Sequence, residues 1–160
     1  MKFYFTIILF LFFKINAQAQ TEVIFYENFG SPLSNTAFKD HTFQNAAPLY
    51  FSGDGDVRKS NPVSNYTNAS GEGFAFFNAN RTLIISGIKT QNYENLVLKM
   101  GHFKSSNASS NQLEIAVSSD STNFTNLTYT RTTGTGTSNW TYLIPSGTIP
   151  QTNTLFIRFL

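Results

Sequence analysis

Short runs of β-forming residues recur along this chain between clusters of Gly, Asn, Ser and Pro, and no stretch sustains the ~3.6-residue apolar period of an amphipathic helix. That pattern confines the chain to an all-β fold of short strands. The runs are Val23–Phe29, Leu49–Ser52, Phe74–Asn78, Thr82–Ser86, Leu96–Phe103, Gln112–Ser118, Leu127–Thr130, Trp140–Ile144 and Thr154–Phe159. Turn-forming clusters punctuate them at Gly30-Ser31-Pro32, Gly53-Asp54-Gly55, Ser70-Gly71-Glu72-Gly73, Ser105-Ser106-Asn107, Gly134-Thr135-Gly136 and Pro145-Ser146-Gly147. Spacing of this kind predicts a β-sandwich. The abundance of Asn, Ser and Thr agrees, because their side chains compete with a helix backbone for hydrogen bonds.

Alternation assigns faces. Leu113, Ile115 and Val117 are expected to face the core, with Glu114, Ala116 and Ser118 turned to solvent. Leu155, Ile157 and Phe159 are likewise expected inside, opposite Phe156, Arg158 and Leu160. Phe74-Ala75-Phe76-Phe77 and Leu83-Ile84-Ile85 are continuously apolar, as expected for strands covered on both faces or lying beneath a long loop, and are read as central strands. The sequence stops inside an apparent strand at Phe159-Leu160, and a core strand needs a neighbour on each side. The expectation is therefore a module lacking its C-terminal strand.

The first residues form a leader. Lys2 precedes the apolar run Phe3–Phe13, which is too short for the ~20 residues of a membrane-spanning helix. Ala17-Gln18-Ala19 then offers the small side chains that a signal peptidase accepts, so cleavage is expected after Ala19. Residues 1–19 are read as a signal peptide and residues 20–160 as a single β-sandwich module. The predicted location is secreted, extracellular or at the cell surface. The formal net charge of +2 comes from Lys2 and Lys14, which leave with the leader, so the mature module is neutral. A neutral module without a Lys/Arg cluster has no electrostatic footprint for nucleic acid or an anionic membrane. There is no cysteine, which excludes thiol chemistry and leaves burial and sheet hydrogen bonds to hold the fold.

Candidate chemistry is sparse. His41 and His102 are the only histidines and lie at no metal-ligand spacing; no G-x-S-x-G nucleophile elbow occurs. Asp54 and Asp56 open a pattern like a calcium loop, but Arg58 stands where a third oxygen ligand is needed, so a solvated turn is preferred. Gly71-Glu72-Gly73 and Gly134-Thr135-Gly136 lack the third glycine and helix of a phosphate cradle. An enzyme would need Asp40, His41, Asp54 and Asp56 to converge in one cleft. Asn-x-Ser/Thr sequons stand at Asn65, Asn68, Asn80, Asn107, Asn123, Asn126 and Asn139, in a chain whose composition produces many by chance. Aromatic side chains that stack on sugar rings are sought at Tyr50, Tyr66, Tyr93, Phe124, Tyr129, Trp140 and Phe156. Trp140 is read as an inter-sheet core residue. Phe156 stands out because alternation turns it away from Leu155 and Ile157.

Several strings together resemble a known module. They include Glu27-Asn28-Phe29-Gly30, Thr42-Phe43-Gln44-Asn45, Tyr50-Phe51-Ser52-Gly53-Asp54-Gly55-Asp56-Val57-Arg58 and Asn68-Ala69-Ser70-Gly71-Glu72-Gly73. In the second half Leu96-Val97-Leu98-Lys99-Met100-Gly101, Leu113–Asp120 and Leu155-Phe156-Ile157-Arg158-Phe159 fit too. From about Val23 onward the chain resembles jelly-roll β-sandwich modules of secreted Bacteroidetes proteins, which are adhesin-like or carbohydrate-binding-like and often belong to type IX secreted multidomain proteins. The resemblance implies a jelly-roll topology and a following strand of the type R-I-D-D-I. It also implies a structural calcium held in part by Glu27, and an O-glycosylation motif at Asp120-Ser121-Thr122. The function expected is a non-catalytic extracellular binding or adhesion module with polysaccharide or cell-surface glycan as ligand. The alternative is a structural accessory module of a larger secreted nuclease or glycosidase.

Overall fold

The computed structural model describes residues 21–45, 47–59, 73–76, 78–104, 112–130 and 140–160. The leader, Tyr66, the Ser105–Asn107 and Gly134–Gly136 turns and the sequons at Asn65, Asn68, Asn107 and Asn139 lie outside them. Ten strands follow in chain order: β1 (Thr36–Ala37), β2 (Tyr50–Gly53), β3 (Asp56–Lys59), β4 (Gly73–Phe76), β5 (Leu83–Ile88), β6 (Met100–His102), β7 (Ile115–Ser118), β8 (Thr125–Leu127), β9 (Thr141–Leu143) and β10 (Leu155–Phe159). Among the described residues one 3₁₀ turn, Phe38–Asp40, follows β1. The fold is all-β, as the short runs predict, and among the described residues no helix is long and apolar enough to cross a membrane.

Every pairing is antiparallel. The largest sheet has the order β2-β5-β10-β7-β8, and two smaller ones, β1-β3-β4 and β6-β9, complete the sandwich. Between the sheets lies one apolar cluster. The large sheet supplies Leu83, Ile85, Ile115, Val117, Leu127, Leu155, Ile157 and Phe159; Val57 of β3 and Phe38 of the 3₁₀ turn come from the other side. Ile115 and Val57 are completely inaccessible to solvent. The burial alternates along β10, with Leu155, Ile157 and Phe159 inside and Phe156 and Arg158 half-buried, because a strand's successive side chains point to opposite faces.

The strand β10 lies at the centre of its sheet. Ile157 sits opposite Ile85 of β5 on one side and opposite Val117 of β7 on the other. The pairing continues one residue past the ladder through reciprocal backbone bonds between Glu114 and Leu160, at 2.7 and 3.0 Å. Strand β10 therefore has a hydrogen-bonded neighbour on each side. Strand β5 is also internal, between β2 and β10, as its continuous apolar run predicts. By contrast β4 pairs only with β3 among the described residues and is half-buried along its length, which corrects its assignment as a central strand.

Other expectations need correction as well. Val23–Phe29 joins no ladder among the described residues. Its Ile24, Phe25 and Phe29 pack against the core, but the carbonyl of Tyr26 accepts side-chain amides of Gln44 and Asn45 at 2.6 and 2.8 Å. The run expected over Leu96–Phe103 narrows to Met100–His102, although burial already alternates from Leu96 onward. Strand β8 begins at Thr125, earlier than Leu127, and β3 occupies what reads in sequence as the tail of a turn. Ala116 and Ser118 do point outward from the core, yet they are 0% and 2% exposed, since other side chains cover that face.

Candidate functional site

The outer face of the five-stranded sheet carries the most ordered arrangement of the aromatic residues sought in the sequence. Tyr50 of β2 lies opposite Ser86 of β5; Ser86 lies opposite Phe156 of β10; Phe156 lies opposite Ser118 of β7. Residues directly opposite in antiparallel strands share a face. Val117 pairs with Thr125, the first residue of β8, and Phe124 immediately precedes that strand with Arg158 over its ring. The result is a row across four strands, Tyr50, Ser86, Phe156 and Ser118, of which Ser118 is buried, with Phe124 just outside β8 beyond it. It comes from the pleat: inward neighbours Phe51, Ile85, Ile157 and Val117 fix the opposite face for each residue of the row.

Its two ends differ. Tyr50 is 63% exposed and stands at the open edge, whereas Phe156 and Phe124 are half-buried. Beside Phe124, Arg158 lays its guanidinium 4.3 Å from the ring centroid and donates to Glu114 at 2.8 Å. Those side chains roof Ala116, which is why an outward alanine is fully buried. Arg158 Nε is itself buried with no hydrogen-bond partner among the described residues. Beyond Ser118 the chain folds back as a loop. The Ser118 hydroxyl donates to the Asp120 carboxylate at 2.9 Å, and the same carboxylate accepts the amides of Thr122 and Asn123 at 2.9 and 2.7 Å and the Asn123 side-chain amide at 2.7 Å. Those donors, the Asn123 side chain foremost, hold the Asp120 carboxyl well below the ordinary carboxylate range. These bonds close the loop on its own carboxylate.

The other candidates sit apart from this row. Trp140 is half-buried and wedged between Phe74 at 5.4 Å and Phe103 at 5.7 Å, a ring cluster joining the two small sheets, so it does not belong to the buried core between the layers. Tyr129 packs on the core with its hydroxyl donating to the Leu113 carbonyl at 2.5 Å, and the Tyr93 hydroxyl reaches Glu22 at 3.4 Å. Asp56 is held by Arg58 at 2.5 and 3.0 Å, its hydrogen bonds raising the guanidinium's pKa, while Arg58 covers the Phe76 ring at 3.5 Å. Asp40 pairs with Lys39 at 2.6 Å; His41 sets its ring edge-on to Phe43 at 4.7 Å, and His102 is buried in β6. Asp40, His41 and Asp56 are thus each engaged in separate local contacts.

Glu27 is half-buried, and its two carboxylate oxygens accept the Phe29 amide and the Asn45 side-chain amide, both at 2.9 Å. Calcium takes six to eight oxygen ligands. Among the described residues no group of three or more His, Cys, Asp or Glu side chains gathers that could hold a metal ion. Two grooves among the described residues are shallow. One of about 500 Å³ is lined by hydroxyl and apolar residues including Tyr129, Tyr142 and Ser146. The other, of about 410 Å³, runs past Ile24, Leu49, Lys89 and Tyr93.

Tyr50, Phe156 and Phe124 are thus brought together out of the aromatic candidates, while Tyr93, Tyr129 and Trp140 are not. Ser86, Ser118, Arg158 and Glu114 complete the face and escape a reading by motif. Their signal is register: each is the outward member of an alternating strand, and only pairing puts them side by side. No protein-family model, no curated protein and no solved structure matches this chain.

Proposed function

We propose that the chain is an exported, non-catalytic module of jelly-roll type that binds polysaccharide through the outer face of its five-stranded sheet. The observation that carries this is the exposed ring of Tyr50 aligned through Ser86 with Phe156 on that face. Sugar rings have apolar faces that stack on aromatic rings and hydroxyl rims that hydrogen-bond, so the exposed ring of Tyr50 with the half-buried Ser86 and Phe156 beside it offers both kinds of partner. The neutral module and the leader read from the sequence support an extracellular glycan over nucleic acid.

The test is glycan binding by the whole chain and by Tyr50→Ala and Phe156→Ala, with circular dichroism to confirm folding. The expected result is retention on at least one polysaccharide that both substitutions weaken. Retention that both folded variants leave unchanged would move the site elsewhere, and no retention on any polysaccharide would overturn the reading.

A further inference from the structure

The outer face of the five-stranded sheet is open over three strands and covered over the fourth. On β2, β5 and β10 the register sets Tyr50, Ser86 and Phe156 in one line and Ser52, Ile84 and Arg158 in the next. Tyr50 and Ser52 are exposed, and Ser86, Ile84 and Phe156 are half-buried, so each keeps some surface open to solvent. On β7 the two lines run into Ser118 and Ala116, which are 2% and 0% exposed. There the Asp120 loop takes the Ser118 hydroxyl, and Arg158, opposite Ala116, is committed to the Phe124 ring and to Glu114.

That boundary limits the length of glycan the face can touch. Neighbouring strands are ~4.8 Å apart, so Tyr50 and Phe156 stand roughly 9.5 Å from each other with Ser86 between them. One pyranose ring covers about one strand spacing. The open patch therefore takes about two sugar units, one against the Tyr50 ring and one toward Phe156, with the Ser52 and Ser86 hydroxyls inside the same patch. A further unit on the β7 side meets covered backbone. On the other side the sheet ends, because among the described residues β2 pairs only with β5.

We infer, resting on the polysaccharide reading, that the site recognises a segment of two sugar units at the β2 edge, and that the remainder of a longer glycan stays in solvent and adds no contact of its own.

NMR titration of the whole chain with one- to six-unit fragments of cellulose, mannan, xylan and amylose, and of any further polysaccharide that retains it, counts the units. Affinity is expected to rise from the monosaccharide to the disaccharide and then to change by less than about tenfold up to the hexasaccharide. Tyr50→Ala should weaken the disaccharide and its parent polymer by the same factor, since both make the same contact. A gain of more than about tenfold between disaccharide and hexasaccharide overturns the inference. So does a monosaccharide that binds as tightly as the disaccharide, or a polymer that is retained while its fragments are not bound; all three leave polysaccharide binding standing. No binding of any fragment together with no retention on any polysaccharide overturns both.

Discussion

Arg158 lies with its guanidinium 4.3 Å from the centre of the Phe124 ring, so a charged side chain serves as the lid over the fully buried Ala116. Its partner Glu114 and Arg158 itself keep 35% and 27% of their side chains exposed, which makes the ion pair a modest contributor of at most ~1 kcal/mol. Packing matters more here than charge. Arg158→Ala is expected to cost about 1–2 kcal/mol in urea denaturation, and Glu114→Gln about half a kcal/mol. Equal losses for the two substitutions would show that the ion pair, rather than the lid, carries the effect.

Tyr50 separates binding from stability. At 63% exposed, its ring contributes little to the core, so Tyr50→Ala should shift the unfolding free energy by no more than ~0.5 kcal/mol. Phe156 is half-buried between Ser86 and Ser118, and its replacement by alanine should cost clearly more than that of Tyr50. Chemical denaturation of both variants, beside their glycan retention, checks this order.

The centre of the large sheet is the place where a cavity is felt most. Ile157 is 4% exposed, with Ile85 and Val117 on either side. Ile157→Ala should destabilise by about 2–5 kcal/mol, and Ile157→Val by about 1 kcal/mol. A loss below 1 kcal/mol for the alanine variant would mean that β10 is not central.

Gly53 ends β2 with φ near +145°, and a Cβ there would stand 1.9 Å from the Thr82 carbonyl oxygen. Backbone cannot yield as a flexible side chain does. Gly53→Ala should therefore cost at least ~2 kcal/mol, measured as a fall in Tm. An unchanged Tm would refute the close approach of the two strands.

Asp120 supplies a pH signature. Its folded pKa lies below the unfolded value of ~3.9, so the carboxylate stabilises its loop above that pH and the contribution is lost as pH falls through the depressed folded value. NMR titration of the Asp120 carboxyl should place its midpoint below that of an aspartate in an unstructured peptide. The Asn123 variant Asn123→Ala, which removes the foremost donor, should move its titration upward.

The strands that could be read in the sequence were those whose side chains alternate or run continuously apolar between turn residues, such as the runs Thr82–Ser86 and Thr154–Phe159. What could not be read was decided by partners. Val23–Phe29 has strand composition, but its Tyr26 carbonyl is taken by the amides of Gln44 and Asn45. Asp56–Lys59 looks polar and turn-like, yet pairing with β4 buries Val57 completely. The candidate face shows the same division. Phe156 could be singled out by alternation alone, whereas its alignment with Tyr50 depends on both strands flanking the same serine of β5, a relation between residues far apart in the chain.

The placement of β10 between β5 and β7 sets the order in which this molecule can assemble. As the chain is synthesised, the β2–β5 and β7–β8 pairs emerge first, but each remains an isolated ribbon with half its core uncovered. They become one sheet only when Phe159 reaches back to Leu83, a contact between distant parts of the sequence. Folding dominated by such long-range closure is slow, and it cannot be completed until the strand that joins the two ribbons has been made.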